Sequence, residues 1–459
     1  MGRRRGAILG LLSATQLIGV LDFSIVNVAL PSIQREFHLA PEQLQWVVSA
    51  YGLTLGGFIL LGGRIADLYP RKQVFIGGLV VFLAASLAGG LAPAAPVVFV
   101  ARAIQGLGGA VLAPTALALL ISEFPEGRER TRALSVFGTL AAVGFTAGVI
   151  LGGILTGVAG WRWVFFVNVP IGLAALVAAV WLLEPQRQTA KRHALDLAGA
   201  VLVTAGMVAL VWGLTMMAVP NFARLAEAIA LLFVAAVLLV SFLAVERSAS
   251  NPLLPLKVFG LPGLSGSNLV AGLTIIVASV LAFTLTLVVQ HVLGYSPQIT
   301  GLAFLPAGLG GIVGGMLGGK AVRRIGVRWS AVSGCLILAF GVAIVLVLGL
   351  RGSIGWIAAG YGVAAIGIVG TVVATTIGAT SGVGREWQGL AAGLLSTSQQ
   401  VGGAMGAALA GVIDAAGQLV SYRYSLVVAL VILGVAAVVS GRRLGASQRR
   451  PEASNSRVA

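Results

Sequence analysis

The sequence predicts an all-α polytopic membrane protein built as two six-helix bundles plus two inserted helices. Of its 459 residues, 58% are hydrophobic and only 10% are charged, whereas about 25% of the residues in a soluble domain are charged. The mean hydropathy is +1.01, and 64 glycines suit the close approach of helices inside a membrane. Apolar runs of roughly 20 residues, the length that crosses a bilayer core, predict fourteen transmembrane helices.

The fourteen apolar runs are the elements of this prediction. They fall near residues 8–31, 45–66, 74–92, 97–121, 133–158, 162–183, 195–217, 224–244, 264–290, 300–319, 329–350, 354–379, 389–413 and 424–441. The first run follows a basic N-terminus, as the apolar core of a signal peptide would. It continues past Asp22 to Leu30 without an Ala-x-Ala cleavage site, so we interpret it as the first membrane helix.

The distribution of basic residues orients the predicted helices. With both termini on the inside, 24 of the 30 Lys and Arg residues lie in inside segments, 5 lie in outside segments, and Arg102 lies within a helix. An excess of Lys and Arg marks cytoplasmic loops. We therefore expect a multi-pass protein of the cell (inner or plasma) membrane, with both termini in the cytoplasm.

Composition disfavours several classes of function. The net charge of +16 is spread over short loops, so it does not indicate a nucleic-acid partner. A single cysteine and three scattered histidines predict no metal and no cofactor. The sequence has no Gly-x4-Gly-Lys-Ser/Thr loop, no recognisable catalytic set and no charged pore ring, which disfavours an ATP-driven pump, a membrane enzyme and a channel. The expected partners of a monomer are the lipid bilayer, protons and a small-molecule substrate.

Two loops indicate an internal repeat. Residues 62–72 and 318–328 each contain a glycine pair, a short spacer and a basic cluster directly after a predicted helix. Parallel six-helix repeats are a known transporter design, although any short inside loop can collect Gly and Arg. The expected parts are an N-terminal six-helix bundle, two inserted helices, a C-terminal six-helix bundle and a disordered basic cytoplasmic tail. Their predicted bounds are 1–189, 190–250, 251–441 and 442–459.

Seven stretches resemble those of one transporter family. They lie at residues 21–31, 62–72, 102–110, 144–153, 161–172, 290–297 and 396–402. The first reads Leu-Asp-Phe-Ser-Ile-Val-Asn-Val-Ala-Leu-Pro. The second departs from the family's loop pattern at Leu68 and Pro70, and the fourth has Val149 where Pro is usual. In these stretches the chain resembles the fourteen-helix drug/proton antiporter family of the major facilitator superfamily, of the multidrug resistance exporter type.

That resemblance implies a major facilitator fold and drug export by alternating access, driven by the proton gradient. It also implies roles for particular residues, since the 102–110 stretch resembles a motif linked to proton coupling. The antiporter motif corresponds to Gly144, Gly148, Gly152 and Gly153. An uptake or amino-acid transporter on the same scaffold is the alternative, which the stretches at 21–31, 144–153 and 161–172 disfavour.

Asp22 is the acidic residue that lies deep within a predicted span. A carboxylate inside a membrane helix is costly and usually functional, since a carboxyl group held away from bulk water can bind and release a proton. At 1.5 Å per residue, Asp22 lies about 14 Å, Arg102 about 8 Å and Gln105 about 12 Å from the outer end. We predict that these three residues share one polar layer and couple transport to protons. The alternatives are a structural aspartate and an arginine that reaches the outer surface.

A second candidate site is the loop after the second predicted helix. There Asp67 lies among Arg64, Arg71 and Lys72, and its carboxylate can bridge to cations or to a helix N-terminus of the other half. We predict that Gly63, Asp67, Arg71 and Lys72 form a conformational latch that holds the inner side closed. The alternative is a solvated ion pair of small energetic value.

The predicted substrate cavity takes its polar groups from several spans. The candidates are Ser24, Asn27, Gln290, Gln399 and Gln400. With one buried acid in the N-terminal half and none deep in the C-terminal half, a dicationic substrate is disfavoured. A hydrophobic neutral, zwitterionic or monocationic compound fits this composition better.

Overall fold

The structure is a computed structural model, and its described part is entirely helical in its regular elements. It describes residues 3–39, 41–44, 46–184, 197–217, 222–248, 254, 258, 261, 263–295, 297–351, 353–381, 383–384, 387–414 and 419–444. The predicted all-α class is confirmed. Arg442 and Arg443 belong to the last helix, so they are not part of the predicted basic tail, whose remaining residues from 445 onward lie outside the described residues.

Fourteen long helices in the described part overlap the fourteen predicted runs in order. They are α1 (Arg3–Phe37), α2 (Trp46–Leu68), α3 (Arg71–Gly90), α4 (Ala95–Glu123), α5 (Arg128–Val158), α6 (Asn168–Leu182), α7 (Leu197–Met217), α8 (Phe222–Ser248), α9 (Leu264–Leu287), α10 (305–325), α11 (327–347), α12 (Ile354–Thr380), α13 (Gln388–Asp414) and α14 (Leu419–Arg443). α10 and α11 are the two arms of one segment, which bends where Gly326 adopts a φ of 76°. Glycine reaches that backbone conformation without steric cost.

Apolar length supports a membrane location for these helices. Eleven stretches of the described residues are long and apolar enough to cross a bilayer, with Ile299–Val347 counted once, and Ala198–Leu214 is a shorter apolar helix. α13 is more polar, because residues 396–400 are Ser, Thr, Ser, Gln and Gln. Polar side chains inside a membrane favour positions that face other helices or a cavity. The chain is a multi-pass membrane protein.

The same pairs of helices pack closely in both halves of the chain. In the N-terminal half, glycines of α5 lie against the backbone of α1, and Gly62 of α2 lies against α4 at Ala110. The C-terminal half repeats both contacts, since glycines of α13 lie against α9, and Gly310 and Gly314 of α10 lie against α12. A six-helix repeat interrupted by two inserted helices relates these pairs. The packing therefore favours the predicted organisation, whose residue bounds stay a prediction.

The inserted helices lie beside α2. α7 and α8 pack on each other, with Gly206 at their contact. α7 also packs on α2, where Gly57 approaches Val208. Trp46 and Trp212 meet edge to face at a centroid distance of 5.7 Å. The inserted pair is therefore attached to the N-terminal half along much of α2.

The two halves contact each other near the helix ends that carry the arginine-rich segments 64–72, 128–132 and 320–328. We call these ends the basic end. There Gly63 of α2 lies against Gly389 of α13, and Gly315 of α10 lies against Thr139 of α5. Small residues allow the backbones to approach closely. The two halves are thus joined at the basic end in this structure.

At the opposite end, Glu36 fastens α1 to the turn that precedes α6. Its carboxylate accepts a hydrogen bond from the indole N–H of Trp161 at 2.6 Å and pairs with Arg162 at 2.7 Å. The hydrogen bond from Trp161, helped by Arg162, lowers the pKa of the Glu36 carboxyl. Glu36 is therefore an acid whose charge is stabilised locally, outside the membrane-spanning part of α1.

We expect Gly314→Val to destabilise the protein by about 1–3 kcal/mol, the usual cost of overpacking a filled contact. A side chain at Gly314 would collide with the carbonyl oxygen of Ile366 in α12. The control is Gly434→Val in α14, where no described atom lies within 4 Å of the added Cβ position. Thermal unfolding in detergent measures the difference, and equal midpoints for the two variants would contradict this account of the packing.

Candidate functional site

A buried cluster of polar side chains surrounds Asp22. Its carboxylate accepts hydrogen bonds from Arg102 of α4 at 2.5 Å, from Asn168 of α6 at 2.7 Å and from Gln105 of α4 at 3.2 Å. All four side chains are fully buried. The structure thus brings Asp22, Arg102 and Gln105 into direct contact and adds Asn168, to which the sequence analysis assigned no role.

Arg102 is held from several directions. Its Nε donates to the carbonyl oxygen of Val47 at 2.9 Å, and its Nη1 donates to the side-chain oxygen of Gln105 at 3.0 Å. Its guanidinium carbon lies 4.3 Å from the centroid of the Tyr51 ring, a distance suited to cation–π attraction. Because Arg102 has no exposed surface, the alternative of an arginine that reaches the outer surface is wrong.

The cluster extends into α3 through Ser86. Gln105 donates to the Ser86 hydroxyl at 2.7 Å, and that hydroxyl donates to the carbonyl oxygen of Phe82 at 2.9 Å. Two buried atoms, Arg102 Nη2 and Asn168 Oδ1, find no hydrogen-bond partner within the described part of the chain. An unmade hydrogen bond in a buried site is costly. The cluster therefore retains polar groups that another conformation, or water, can satisfy.

Two mutually dependent charges lie at the centre of this cluster. Asp22 neutralises Arg102, and removing the charge of one partner leaves the other as an uncompensated buried charge, at a cost of about 3–5 kcal/mol. A change of charge at either residue therefore changes the energy of the contacts that hold the other.

Asp67 joins the two halves by capping α13. Its Oδ1 accepts the N–H of Gly389 and its Oδ2 accepts the N–H of Leu390, each at 2.7 Å. The side chain is only 1% exposed. A carboxylate at a helix N-terminus satisfies free N–H groups and interacts favourably with the helix dipole. The alternative of a solvated surface ion pair is wrong.

Arg71 and Gly63 belong to the same contact. Arg71 donates to Asp67 Oδ1 at 3.3 Å and to the side-chain oxygen of Gln388 at 3.1 Å. Gly63 lies so close to α13 that an added Cβ would collide with the carbonyl oxygen of Gly389. Two charged groups and one glycine therefore hold the end of α2 and the start of α3 against the first turn of α13.

Lys72 lies apart from this contact, which corrects its predicted place in the latch. Its Nζ donates to the carbonyl oxygens of Val180 and Leu183 at 2.7 and 2.6 Å, at the end of α6. A lysine at a helix C-terminus satisfies free carbonyl groups and the negative end of the dipole. In this structure Lys72 therefore ties α3 to α6 within one half.

Three of the four glycines of the antiporter motif face α1. Gly144, Gly148 and Gly152 are buried against it, whereas Gly153 is exposed and has no described neighbour within 4 Å of its Cβ position. Ser24 lies against Gly148, and its hydroxyl donates to carbonyl groups of its own helix. The structure places Ser24 in the contact between α1 and α5 rather than on an open cavity, so its predicted cavity role is not supported.

The remaining cavity candidates lie at different depths. Gln399 and Gln400 are half-buried near the middle of α13, and Gln290 lies in a π-helical turn, Val288–Val292, that extends α9 at the opposite end. The structure does not bring Gln290 together with the two α13 residues. The side chain of Asn27 lies outside the described residues.

A family model described as Major Facilitator Superfamily matches residues 12–407 and also 268–459. The chain belongs to the major facilitator superfamily. Solved structures agree on the fold of this superfamily member. The human organic anion transporter MFSD10 has a TM-score of 0.70 at 15% identity, with 96% of this chain and 100% of that chain covered. Members of this superfamily are transporters, and the chain is not an enzyme.

Several curated relatives are more similar to this major facilitator chain in sequence than the solved structure is. The cephamycin export protein CmcT of Amycolatopsis lactamdurans is 39% identical over 412 residues, which cover 85% of this chain and 81% of that protein. The puromycin resistance protein pur8 of Streptomyces alboniger is 38% identical over 406 residues, with coverage of 86% and 79%. The tetracenomycin C resistance and export protein of Streptomyces glaucescens is 32% identical over 395 residues, with coverage of 86% and 73%.

We expect Arg102→Met to lower stability by about 3–5 kcal/mol, because Asp22 would remain as a buried charge without its counter-charge. The double variant Asp22→Asn with Arg102→Met should recover part of that loss, since no isolated charge then remains. Thermal unfolding in detergent compares the single and double variants. A double variant that is less stable than Arg102→Met would show that the ion pair is not the source of the loss.

We expect Asp67→Asn to destabilise the contact between the halves at the basic end by about 0.5–2 kcal/mol, the usual loss for a helix cap. The two carboxylate oxygens of Asp67 each accept one α13 N–H group, whereas an asparagine side chain has a single acceptor oxygen. Spin labels at residues 129 and 320, on α5 and α10, report the separation of the halves as a wider distance distribution. Glu184→Gln, which alters an exposed pair with Arg4, should leave the distribution unchanged.

Proposed function

We propose that this chain is a proton-coupled antiporter that exports small hydrophobic or monocationic drugs, antibiotics or metabolites by alternating access. One observation carries the proposal: a fully buried Asp22–Arg102 ion pair in a superfamily member whose relatives are named for antibiotic export or resistance. A buried ionisable group in a transporter is suited to binding the coupling ion. The driving force is the proton gradient, and no cofactor takes part.

The basic end faces the cytoplasm in this proposal, and the protein lies in the cell membrane. Its support is the concentration of Lys and Arg in the loops at that end. Because the halves touch at the basic end, the structure corresponds to a state closed toward the cytoplasm. An exporter in that state releases its substrate outside and takes up a proton there.

Coupling begins with the proton. Protonation of Asp22 removes the charge that holds Arg102, so the guanidinium shifts toward its remaining partners, Val47 and Gln105. The glycines of α5 lie directly on α1, and α5 contacts α10 at the basic end. Movement of α1 therefore reaches the contact between the halves. Opening of the basic end breaks the two Asp67 hydrogen bonds and admits substrate from the cytoplasm.

The substrate class follows from the charge of the lining. Gln399 and Gln400 offer neutral hydrogen-bonding groups at the middle of α13, and the buried acid of the N-terminal half is already paired with Arg102. One site with so little free negative charge suits neutral, zwitterionic or singly charged compounds. The transporting unit is a monomer, since both halves of the pathway belong to one chain.

We expect Asp22→Asn to abolish drug accumulation driven by an acid lumen in everted membrane vesicles, because the amide cannot bind the coupling proton. Accumulation should fall to the level of vesicles without the protein when vesicles that hold equal amounts of folded parent and variant protein are compared. Monocationic and dicationic dyes are compared in the same assay, and the monocationic dye should accumulate more.

Glu36→Gln is the matched control, because it neutralises another acid of α1 that lies outside the buried cluster. It should retain accumulation. Coupled export by Asp22→Asn at the rate of the parent protein would refute the role of Asp22. Proton-driven movement of substrate out of the lumen would favour the alternative, an uptake transporter on the same scaffold.

A further inference from the structure

Three parts of the chain meet at Arg64, near the end of α2. Its guanidinium carbon lies 5.4 Å from the centroid of the Trp387 ring, which directly precedes α13. Arg64 also lies within electrostatic range of Asp67 and of Glu246, near the end of the inserted helix α8. A cation of the N-terminal half is thus placed against the C-terminal half and near an acid of the inserted pair.

Glu246 is buried although it is acidic. It is 4% exposed, and its carboxylate accepts the backbone N–H of Leu254 at 3.1 Å. Leu254 belongs to the segment between α8 and α9, and it shares an apolar cluster with Leu60 of α2 and Leu390 of α13. A buried carboxylate is costly unless it is paired and hydrogen-bonded. Glu246 is therefore retained at a point where all three parts of the chain are in contact.

The position of Arg64 requires negative charge nearby. Trp387 stands at the start of α13, whose free N–H groups give that helix end a partial positive charge. Asp67 is favourable there, because it binds two of these N–H groups. A cation at the same helix end is unfavourable. Acids within range of Arg64 offset that repulsion, Asp67 the more strongly and Glu246 in addition.

We propose that Glu246 is a positioning residue of the closed basic end, acting through Arg64. Its carboxylate binds the backbone N–H of Leu254 and supplies part of the negative charge that lets Arg64 stack on Trp387. The inserted pair is then a working part of the inner gate. The inference rests on the alternating access proposed above. Its test uses neither substrate nor proton gradient, so its failure is separate from a failure of coupled export.

Labelling of a single cysteine tests the proposal. Thr139→Cys, in a Cys335→Ser background, places a thiol in the contact of α5 with α10, a different seam from that of Arg64. A membrane-permeant maleimide reacts with it when the basic end opens. We expect Glu246→Gln to raise the labelling rate on the order of fivefold, the lower range of coupling between distant sites. Arg64→Gln should raise the rate similarly, and the double variant should add nothing further.

Two controls separate gate opening from general loosening. Glu227→Gln neutralises an exposed acid at the other end of α8 and should label at the parent rate. In separate protein that keeps Cys335 and Thr139, the buried Cys335 of the C-terminal half should stay unreactive when Glu246→Gln is introduced, if only the gate has opened. Glu246→Asp, which keeps the charge, should restore slow labelling in part.

An unchanged labelling rate in Glu246→Gln would overturn the proposal. Additive increases in the double variant would also overturn it, because Glu246 would then act independently of Arg64. Faster labelling of Cys335 in Glu246→Gln would assign the residue a merely structural role, against the proposal. If the Glu246→Gln protein does not accumulate in the membrane, the Arg64→Gln variant tests the proposal. Labelling of Arg64→Gln at the parent rate would show that the contact of Arg64 with Trp387 does not hold the basic end closed, and would overturn the proposal.

Discussion

A charge inside a membrane-spanning bundle must be neutralised within the protein, and the Asp22–Arg102 pair meets that constraint for both residues. Meeting it draws in the rest of the N-terminal half. Asn168 of α6 and Gln105 of α4 bind the carboxylate, Val47 of α2 binds the guanidinium, and a serine of α3 binds Gln105. Five of the first six helices therefore contribute polar groups to the cluster around this ion pair. A change of charge at its centre is felt across the whole bundle.

The contact between the halves is made of weaker parts. Its hydrogen bonds to Asp67 resemble ordinary helix caps, worth about 1 kcal/mol each. Beside them lie an Arg71–Gln388 hydrogen bond, the stacking of Arg64 on Trp387, and glycines that bring the backbones together. Interlocking side chains would have to leave their packing when the halves separate, whereas facing glycines separate along smooth backbones. The strong buried ion pair stabilises one half internally, and the weaker contact between the halves allows them to separate. A protein that changes shape without unfolding requires both properties.

Hydropathy was sufficient to predict the helices, because only α-helices and closed barrels satisfy their backbone groups within lipid, and apolar runs of about 20 residues have the length of a spanning helix. Asp22 stood out as an acid in an apolar run, and depth along the helix indicated which residues share its level. Depth does not give direction around a helix. Ser24 is turned by about 200° from Asp22 and faces α5. Lys72 is turned by about 100° from Arg71 and faces α6. Asn168 was visible as an amide in an apolar stretch, but only the tertiary packing reveals its partner.

The trans-cap on α13 has a consequence for the medium as well as for the protein. If Asp67 withdraws, the N–H groups of Gly389 and Leu390 lose their carboxylate partner, so separation at the basic end exposes polar groups to water. Osmolytes that are excluded from protein surfaces favour the less hydrated arrangement. The balance between the closed and the open arrangement of the basic end is therefore tied to the water activity of the solution that bathes that end.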